Sequence, residues 1–252
     1  MHAIRQHTFG SAENLRYEEI PDPSPAADQV LIGVEASGVH LIDTSIRAGL
    51  TGGPFPLPEL PMTPGREVAG RVIALGPGVA SQWLDRRVVA HLGQASGGYA
   101  ELAVAPVAAL HAVPDNVTAA AAVAMIGTGR TTMGVLEVDA PKAGDVVLVT
   151  AAAGGIGNLL VQAGVAAGAT VVGVAGGEAK VDQVRKLGAA VAVDYTRPDW
   201  VAEVRDALGD QAVTLAYDSV GGDRGRELLE LLGVGARLVL FGWSSGAPTK
   251  LT

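Results

Sequence analysis

At 252 residues, 48% hydrophobic and 17% charged, the chain has the composition of a globular protein of one large domain or two modest ones, and extended disorder is not expected. A net charge of −8 with no Lys/Arg cluster argues against nonspecific binding to nucleic acid or to an anionic membrane. With no cysteine there is no disulfide, no thiolate nucleophile and no Cys-based zinc site, a composition compatible with the cytoplasm.

The N-terminal MHAIRQHTFG lacks an apolar core and carries charge early, so no signal peptide is expected. Up to about Val123 the pattern is one of short alternating strands broken by Gly and Pro, at 30–35, 67–75, 87–90 and 99–104, which predicts a compact β-rich domain. The helix expected there covers 42–47, and the stretch 51–64, with five prolines, is expected to be a loop. From about Ala119 the texture changes to strand–helix alternation, with strands at 146–149, 170–174, 190–193, 213–217 and 237–241. Gly168, Gly188 and Gly209 each sit just past an apolar-periodic run, as helix-ending glycines do. Apolar strands alternating with helices mean a parallel sheet covered on both faces, with its ligand crevice at the carboxyl ends of the strands. We therefore expect an α/β protein with a β-rich domain over 1–122 and a doubly wound parallel-sheet domain over 123–252.

Between Asp145 and Glu178 there is no charged residue. The stretch is interrupted by glycines, contains Asn158 and Gln162, and shifts from strand period to helix period and back, so it does not read as a membrane span. Its first strand runs into Ala152, Gly154 and Gly157, the spacing G-x-G-x-x-G with alanine in the first place. Between two such strands that spacing marks a dinucleotide turn: Gly154 admits the pyrophosphate, Gly157 lets the helix pack on the sheet, and the N–H groups at Ala153, Gly154, Gly155, Ile156 and Gly157 face the phosphates. The second strand ends in Ala175-Gly176-Gly177, without the acidic residue that takes the ribose 2′-OH of NAD. Lys180, Tyr195 and Arg197 follow, all able to meet a 2′-phosphate, and NADPH is the cofactor expected; Glu178 keeps NADH as the alternative. Ser219, Val220, Phe241, Gly242 and Trp243 emerge at the same sheet edge and complete the expected cofactor-binding set.

These residues resemble the zinc-independent branch of the medium-chain dehydrogenase/reductases, in particular quinone oxidoreductases of the zeta-crystallin type. The resemblance is carried by Gly38-Val39-His40-Leu41-Ile42-Asp43-Thr44, Pro64-Gly65-Arg66-Glu67-Val68-Ala69-Gly70, Gly97-Gly98-Tyr99-Ala100-Glu101, the turn from Ala151 to Gly157, Tyr217-Asp218-Ser219-Val220-Gly221 and Phe241-Gly242. It implies a chaperonin-10-like β domain, a Rossmann domain, NADPH, a homodimer, and a quinone or enone acceptor. Zinc-dependent relatives bind the metal through a Cys in the first of these segments and a His in the second. Here His40 stands in or near the first place and Arg66 in the second, so no metal site is expected.

By the same comparison His40 is the catalytic candidate, able to donate a hydrogen bond or a proton to the acceptor oxygen; lining the pocket or capping the following helix is the alternative. Thr131 matches a family position near the cofactor, with helix packing as the alternative. Arg66 either pairs with Glu67 or Asp43 or narrows the pocket. Without a metal to polarise a carbonyl, the acceptor must take hydride readily, as a quinone or conjugated carbonyl does. An enoyl reductase and a non-catalytic NADPH-binding redox sensor are the competing functions. Family members continue beyond the Phe-Gly segment, so a shortened chain with an exposed sheet edge is expected.

Overall fold

The computed structural model describes residues 1–50 and 56–251, so residues 51–55 of the expected proline-rich loop lie outside the described residues. The chain divides into two compact units, Met1–Gly127 and Thr128–Thr252.

In the first unit, strands β3 (Gln29–Ser37), β4 (Glu67–Leu75), β5 (Arg87–His91), β6 (Leu102–Pro106) and β7 (Leu110–Ala112) form an antiparallel sheet of order β6-β3-β4-β5-β7. Val30, Ile32, Val68, Val72, Val88 and Ala90 are fully buried between its strands and loops, and all but Ala90 are β-branched residues suited to a pleated surface. A separate antiparallel pair joins β1 (His2–Gln6) to β2 (Leu15–Glu19). That pair and β7 were not legible in the sequence: HAIRQ and LRYEE are largely polar, and β7 has three residues. The strand expected at 99–104 begins only at Leu102, because Tyr99 and Ala100 turn to β1, where Tyr99 C=O accepts from Ile4 N–H at 2.8 Å.

Helix α1 (Leu41–Ala48) has Asp43 in its first turn and Arg47 in its last, both complementary to the helix dipole, and ends at Gly49 with φ 76°. Helix α2 (Ala119–Ile126) is capped by Thr118 Oγ1, which accepts from Ala121 N–H at 3.1 Å. Ala122 and Val123 of α2 pack with Ala69 and Val89 of the β sheet. This packing carries the first unit on to Gly127, past the boundary near residue 123 that composition suggests. By length and composition alone the helical run Ala119–Val138 would suffice to cross a membrane, but it breaks at Gly127 into α2 and α3 (Thr128–Val138).

The second unit is built on a five-stranded parallel sheet of β8 (Val146–Val149), β9 (Thr170–Ala175), β10 (Val191–Asp194), β11 (Val213–Asp218) and β12 (Leu232–Leu240). The order β10-β9-β8-β11-β12 reverses direction at β8, so the switch point lies where β8 and β11 end side by side. Helices α4 (Gly155–Ala166), α5 (Glu178–Lys186), α6 (Trp200–Leu208) and α7 (Gly222–Leu228) connect the strands. One sheet face buries Trp200, Val204 and Leu228, the other Leu160, Val161 and Tyr217, which explains the near-continuous apolar strands. Gly168 and Gly188 follow α4 and α5 with φ of 77° and 96°, as expected of them, while Gly209 caps α6 itself with φ 59° and ψ −123°, outside the left-handed helical region. The last strand is longer than expected: β12 starts at Leu232 and contains Gly233 and Gly235, whose irregular register against β11 hid it, and it ends at Leu240, one place before Phe241.

Candidate active site: a glycine turn and a buried carboxylate

Each unit carries a cluster with chemistry in it. In the second, β8 passes through buried Thr150 into Ala151, a non-glycine residue with φ 47°, and buried Ala152. Ala152 N–H donates to Val174 C=O at 3.0 Å and Gly154 N–H to Ala151 C=O at 2.8 Å, which folds the turn back under β9. Gly154 is the N-cap of α4, and Asn158 N–H closes the first turn on Gly154 C=O at 2.8 Å. The glycines are there for space. A Cβ on Gly157 would lie 2.3 Å from Ala151 O, one on Gly155 3.0 Å from Thr128 Cγ2, and one on Gly154 3.1 Å from Ala151 O. Ala153 and Ile156 pack against the sheet core, so their side chains are taken up by the protein. This cradle fits a dinucleotide: α4 begins without a side-chain cap, which leaves the helix N-terminus to an anion.

At the end of β9, Gly177 (φ 88°) caps α5, and a Cβ placed there would meet open space. Lys180 is exposed one turn into α5, and the ring of Tyr195 lies against Gly176. Tyr195 is half-buried, and its phenol is pushed up from the usual value by that burial. Asp194 is held below the ordinary carboxylate range by hydrogen bonds from Gly177 N–H and from Thr196. Glu178, the alternative acceptor for a ribose hydroxyl, pairs with Arg185 at 2.8 Å. Arg197 pairs with Glu203 at 3.2 Å and Asp199 at 3.5 Å. Of the residues expected to distinguish the two nucleotides, Gly177, Lys180 and Tyr195 are thus gathered at one edge, while Glu178 and Arg197 are engaged within the protein.

The opposite wall is built on Asp218, which has no exposed surface. Its Oδ1 accepts from Thr150 Oγ1 at 2.8 Å and from Val220 N–H at 2.9 Å, and its Oδ2 from Thr249 Oγ1 at 2.8 Å; Gly221 N–H lies 3.3 Å from both oxygens. The Thr150 hydroxyl also accepts from Ser219 N–H at 3.0 Å. Phe241 N–H donates to Asp218 C=O at 3.0 Å, Ser244 N–H to Ser219 C=O at 2.9 Å and Ser245 N–H to Val220 C=O at 3.0 Å. Ser219, Val220, Phe241, Gly242 and Trp243 are therefore brought together, with Trp243 56% exposed beside them. Sequence reasoning named the segment but missed Asp218 as its organiser; a lone Asp ending an apolar strand was the available signal. Thr131 is exposed on α3, and beside it Thr132, 3% exposed, donates its hydroxyl to Thr128 C=O at 2.8 Å.

In the first unit, His40 occupies the N-cap of α1, and its N–H donates to Asp43 Oδ2 at 2.8 Å. His40 thus stands at the helix cap, and its ring reaches Glu67: His40 Nε2 lies 2.5 Å from Glu67 Oε2. Glu67, at the first position of β4, is 2% exposed. The hydrogen bond to Glu67 raises the His40 pKa above its usual value; burial and Arg66 oppose the shift, and the charges of Glu67 and Asp43 add to it. Asp43 Oδ2 also accepts from Tyr99 Oη at 3.2 Å, and burial drives the Tyr99 phenol far above its usual range. Arg66 donates Nε–H to Gly93 C=O at 2.9 Å and lines a pocket of about 180 Å³ with Ile46, Pro56, Leu57, Pro58 and Gln94. Among the described residues no group of three or more His, Cys, Asp or Glu is arranged to hold a metal ion.

Comparison with known proteins agrees with both halves. Residues 26–115 match the alcohol dehydrogenase GroES-like domain and residues 155–252 the zinc-binding dehydrogenase domain. The chain is 33% identical to 2-haloacrylate reductase from Burkholderia sp over 253 residues, spanning 97% of this chain and 74% of that protein. It is 33% identical to quinone oxidoreductase 1 of Escherichia coli (strain K12) over 249 residues, spanning 98% of this chain and 74% of that protein. The crystal structure of Escherichia coli quinone oxidoreductase complexed with NADPH superposes with a TM-score of 0.89 at 31% identity, covering 100% of this chain and 76% of the other. The chain belongs to the medium-chain dehydrogenase/reductases, in their zinc-independent, quinone oxidoreductase branch.

Proposed function

We propose that this protein reduces quinones or related conjugated carbonyls with NADPH and without a metal. The observation that carries this reading is the turn at 151–157, where backbone fills every place that a Cβ on Gly157 would need, next to an edge that offers Lys180 and Tyr195 while Asp194 is taken up by Gly177 N–H and Thr196, and Glu178 by Arg185. In this reading the β-rich unit receives the acceptor and the parallel-sheet unit holds the nucleotide. The turn and the N-terminus of α4 bind the pyrophosphate, Lys180 and Tyr195 meet the 2′-phosphate over Gly177, and the segments at 219–220 and 241–243 flank the nicotinamide half. Thr131 serves the same half from α3. When bound, NADPH supplies two electrons as a hydride. His40 then delivers the accompanying proton to the acceptor oxygen, and the apolar stretch Ile46, Pro56, Leu57 and Pro58 excludes water from the acceptor. The likeness to 2-haloacrylate reductase and the guanidinium of Arg66 in a pocket it shares with Gln94 and Ser96 favour a second reading, a conjugated carboxylate as acceptor. A homodimer in the cytoplasm completes the proposal, and sedimentation velocity together with cell fractionation checks both.

The test is NADPH consumption followed at 340 nm with quinones, enones and 2-halogenated acrylates, with NADH in parallel. Turnover of at least one of these acceptors, with NADPH preferred, is expected; tight NADPH binding with no turnover on any acceptor would favour the sensor function instead. Lys180→Ala is expected to weaken NADPH roughly tenfold, the value of one lost charge-assisted contact of about 1.5 kcal/mol, and to leave NADH unchanged. Equal loss for both nucleotides would place the 2′-phosphate elsewhere.

A further inference from the structure

Glu67 is a carboxylate with 3% of its side chain exposed and an imidazole on either side. Oε2 meets His40 Nε2 at 2.5 Å, and Oε1 lies 3.8 Å from His91 Nε2. The backbone closes the remaining space: a Cβ on Gly127 would fall 1.9 Å from Oε1 and one on Gly38 2.7 Å from Oε2, so only glycine at both places leaves room for the carboxylate. His91 is oriented too. Its Nδ1 accepts from Gly93 N–H at 3.0 Å, which leaves the ring hydrogen on Nε2, facing Glu67. Of the two rings His40 is the more accessible, at 28% against 18%. A buried carboxylate is costly unless its partners hold it, and here the partners include two residues that can carry positive charge.

We propose that Glu67 is the positioning residue for the proton donor His40: its carboxylate holds the ring by Nε2–H, turns the other nitrogen toward the acceptor, and is itself steadied by His91. This rests on the proton role given to His40 above. Arg66 before β4, Asp43 on α1 and Tyr99 before β6 are the other titratable or charged groups near His40; Arg66 opposes its positive charge, Asp43 supports it, and Tyr99 faces Asp43. With Nε2 held, the ring gives up the proton on its other nitrogen and returns to the neutral Nε2–H form, and solvent restores the proton through the exposed part of the ring.

The test combines His40 NMR with pH-dependent kinetics on the full chain. In the wild type at alkaline pH, nitrogen–proton correlations are expected to report the Nε2–H tautomer; the Nδ1–H tautomer would overturn the proposal without any variant. In Glu67→Gln, which keeps the shape and removes the charge, the His40 titration midpoint is expected to fall by about one pH unit or more. The alkaline limb of the kcat profile should fall with it, while NADPH affinity stays unchanged. His40→Ala, which serves to assign the signal, should lose that limb, and adding Glu67→Gln to it should shift nothing further. A Glu67→Gln protein that is folded but keeps the wild-type midpoint and limb has lost only a structural contact, and the proposal fails. If no acceptor is turned over, the reductase reading fails by itself, while the tautomer and the midpoint still decide the role of Glu67.

Discussion

Gly157→Ala is expected to weaken NADPH binding roughly a hundredfold in a protein that still folds. The added Cβ would sit 2.3 Å from Ala151 O, 2.8 Å from Ala152 Cα and 2.9 Å from Ala151 C, all backbone atoms that no rotamer change can move. Ala151 already holds a positive φ of 47°, so the turn has little slack, and α4 must withdraw from β8 instead. Overpacking of this kind costs about 1–3 kcal/mol of stability. Its larger effect falls on the pyrophosphate cradle, where a displacement on the order of 1 Å is worth roughly a hundredfold. NADPH fluorescence titration and thermal unfolding, run together, check both. Gly134→Ala is the control: it lies on an exposed stretch of α3 where a Cβ meets nothing within 4 Å, so it should raise stability by up to about 1 kcal/mol and leave binding untouched. Normal NADPH affinity in Gly157→Ala would move the nucleotide away from this turn.

Asp218→Ala is expected to cost the second unit at least about 3 kcal/mol, because buried donors left without acceptors cost about 1–3 kcal/mol each. The Thr150 and Thr249 hydroxyls and the Val220 and Gly221 N–H groups all converge on this carboxylate. Losing it also frees the segment at 219–221 from the end of β8, so NADPH affinity falls in the fraction that remains folded. Thr249→Ala removes one partner at a partly exposed position and should cost no more than about 1 kcal/mol. Urea unfolding of the pair separates a network organised by Asp218 from a set of independent contacts; equal losses for the two variants would mean the latter.

What the sequence made legible follows from local physics. β8 and the body of β9 could be read because a strand buried on both faces must be continuously apolar, and Gly168 and Gly188 because a left-handed residue must follow those helices. β1 and β2 escaped because a half-exposed pair of polar strands has no apolar period to read, and the start of β12 because Gly233 and Gly235 interrupt it. The glycine turn was legible for the same local reason, since its spacing lies within a few residues. The His40–Glu67–His91 constellation was not. Its members come from the cap of α1, the start of β4 and the end of β5, and only the antiparallel register that pairs Glu67 with His91 brings two of them side by side. His40 was singled out from the sequence, but the carboxylate that orients it was read only as a partner for Arg66. Asp218 escaped likewise, because Thr150 and Thr249 lie 68 and 31 residues from it in the chain.

The most direct measurement is NADPH oxidation by a quinone before and after dialysis of the protein against a chelator, with metal content assayed on the same sample. An unchanged rate in metal-free protein is the expected result, since the proposed reaction draws only on the nucleotide's hydride and a proton from His40. A rate that disappears with the chelator and returns with zinc would contradict metal-free reduction outright.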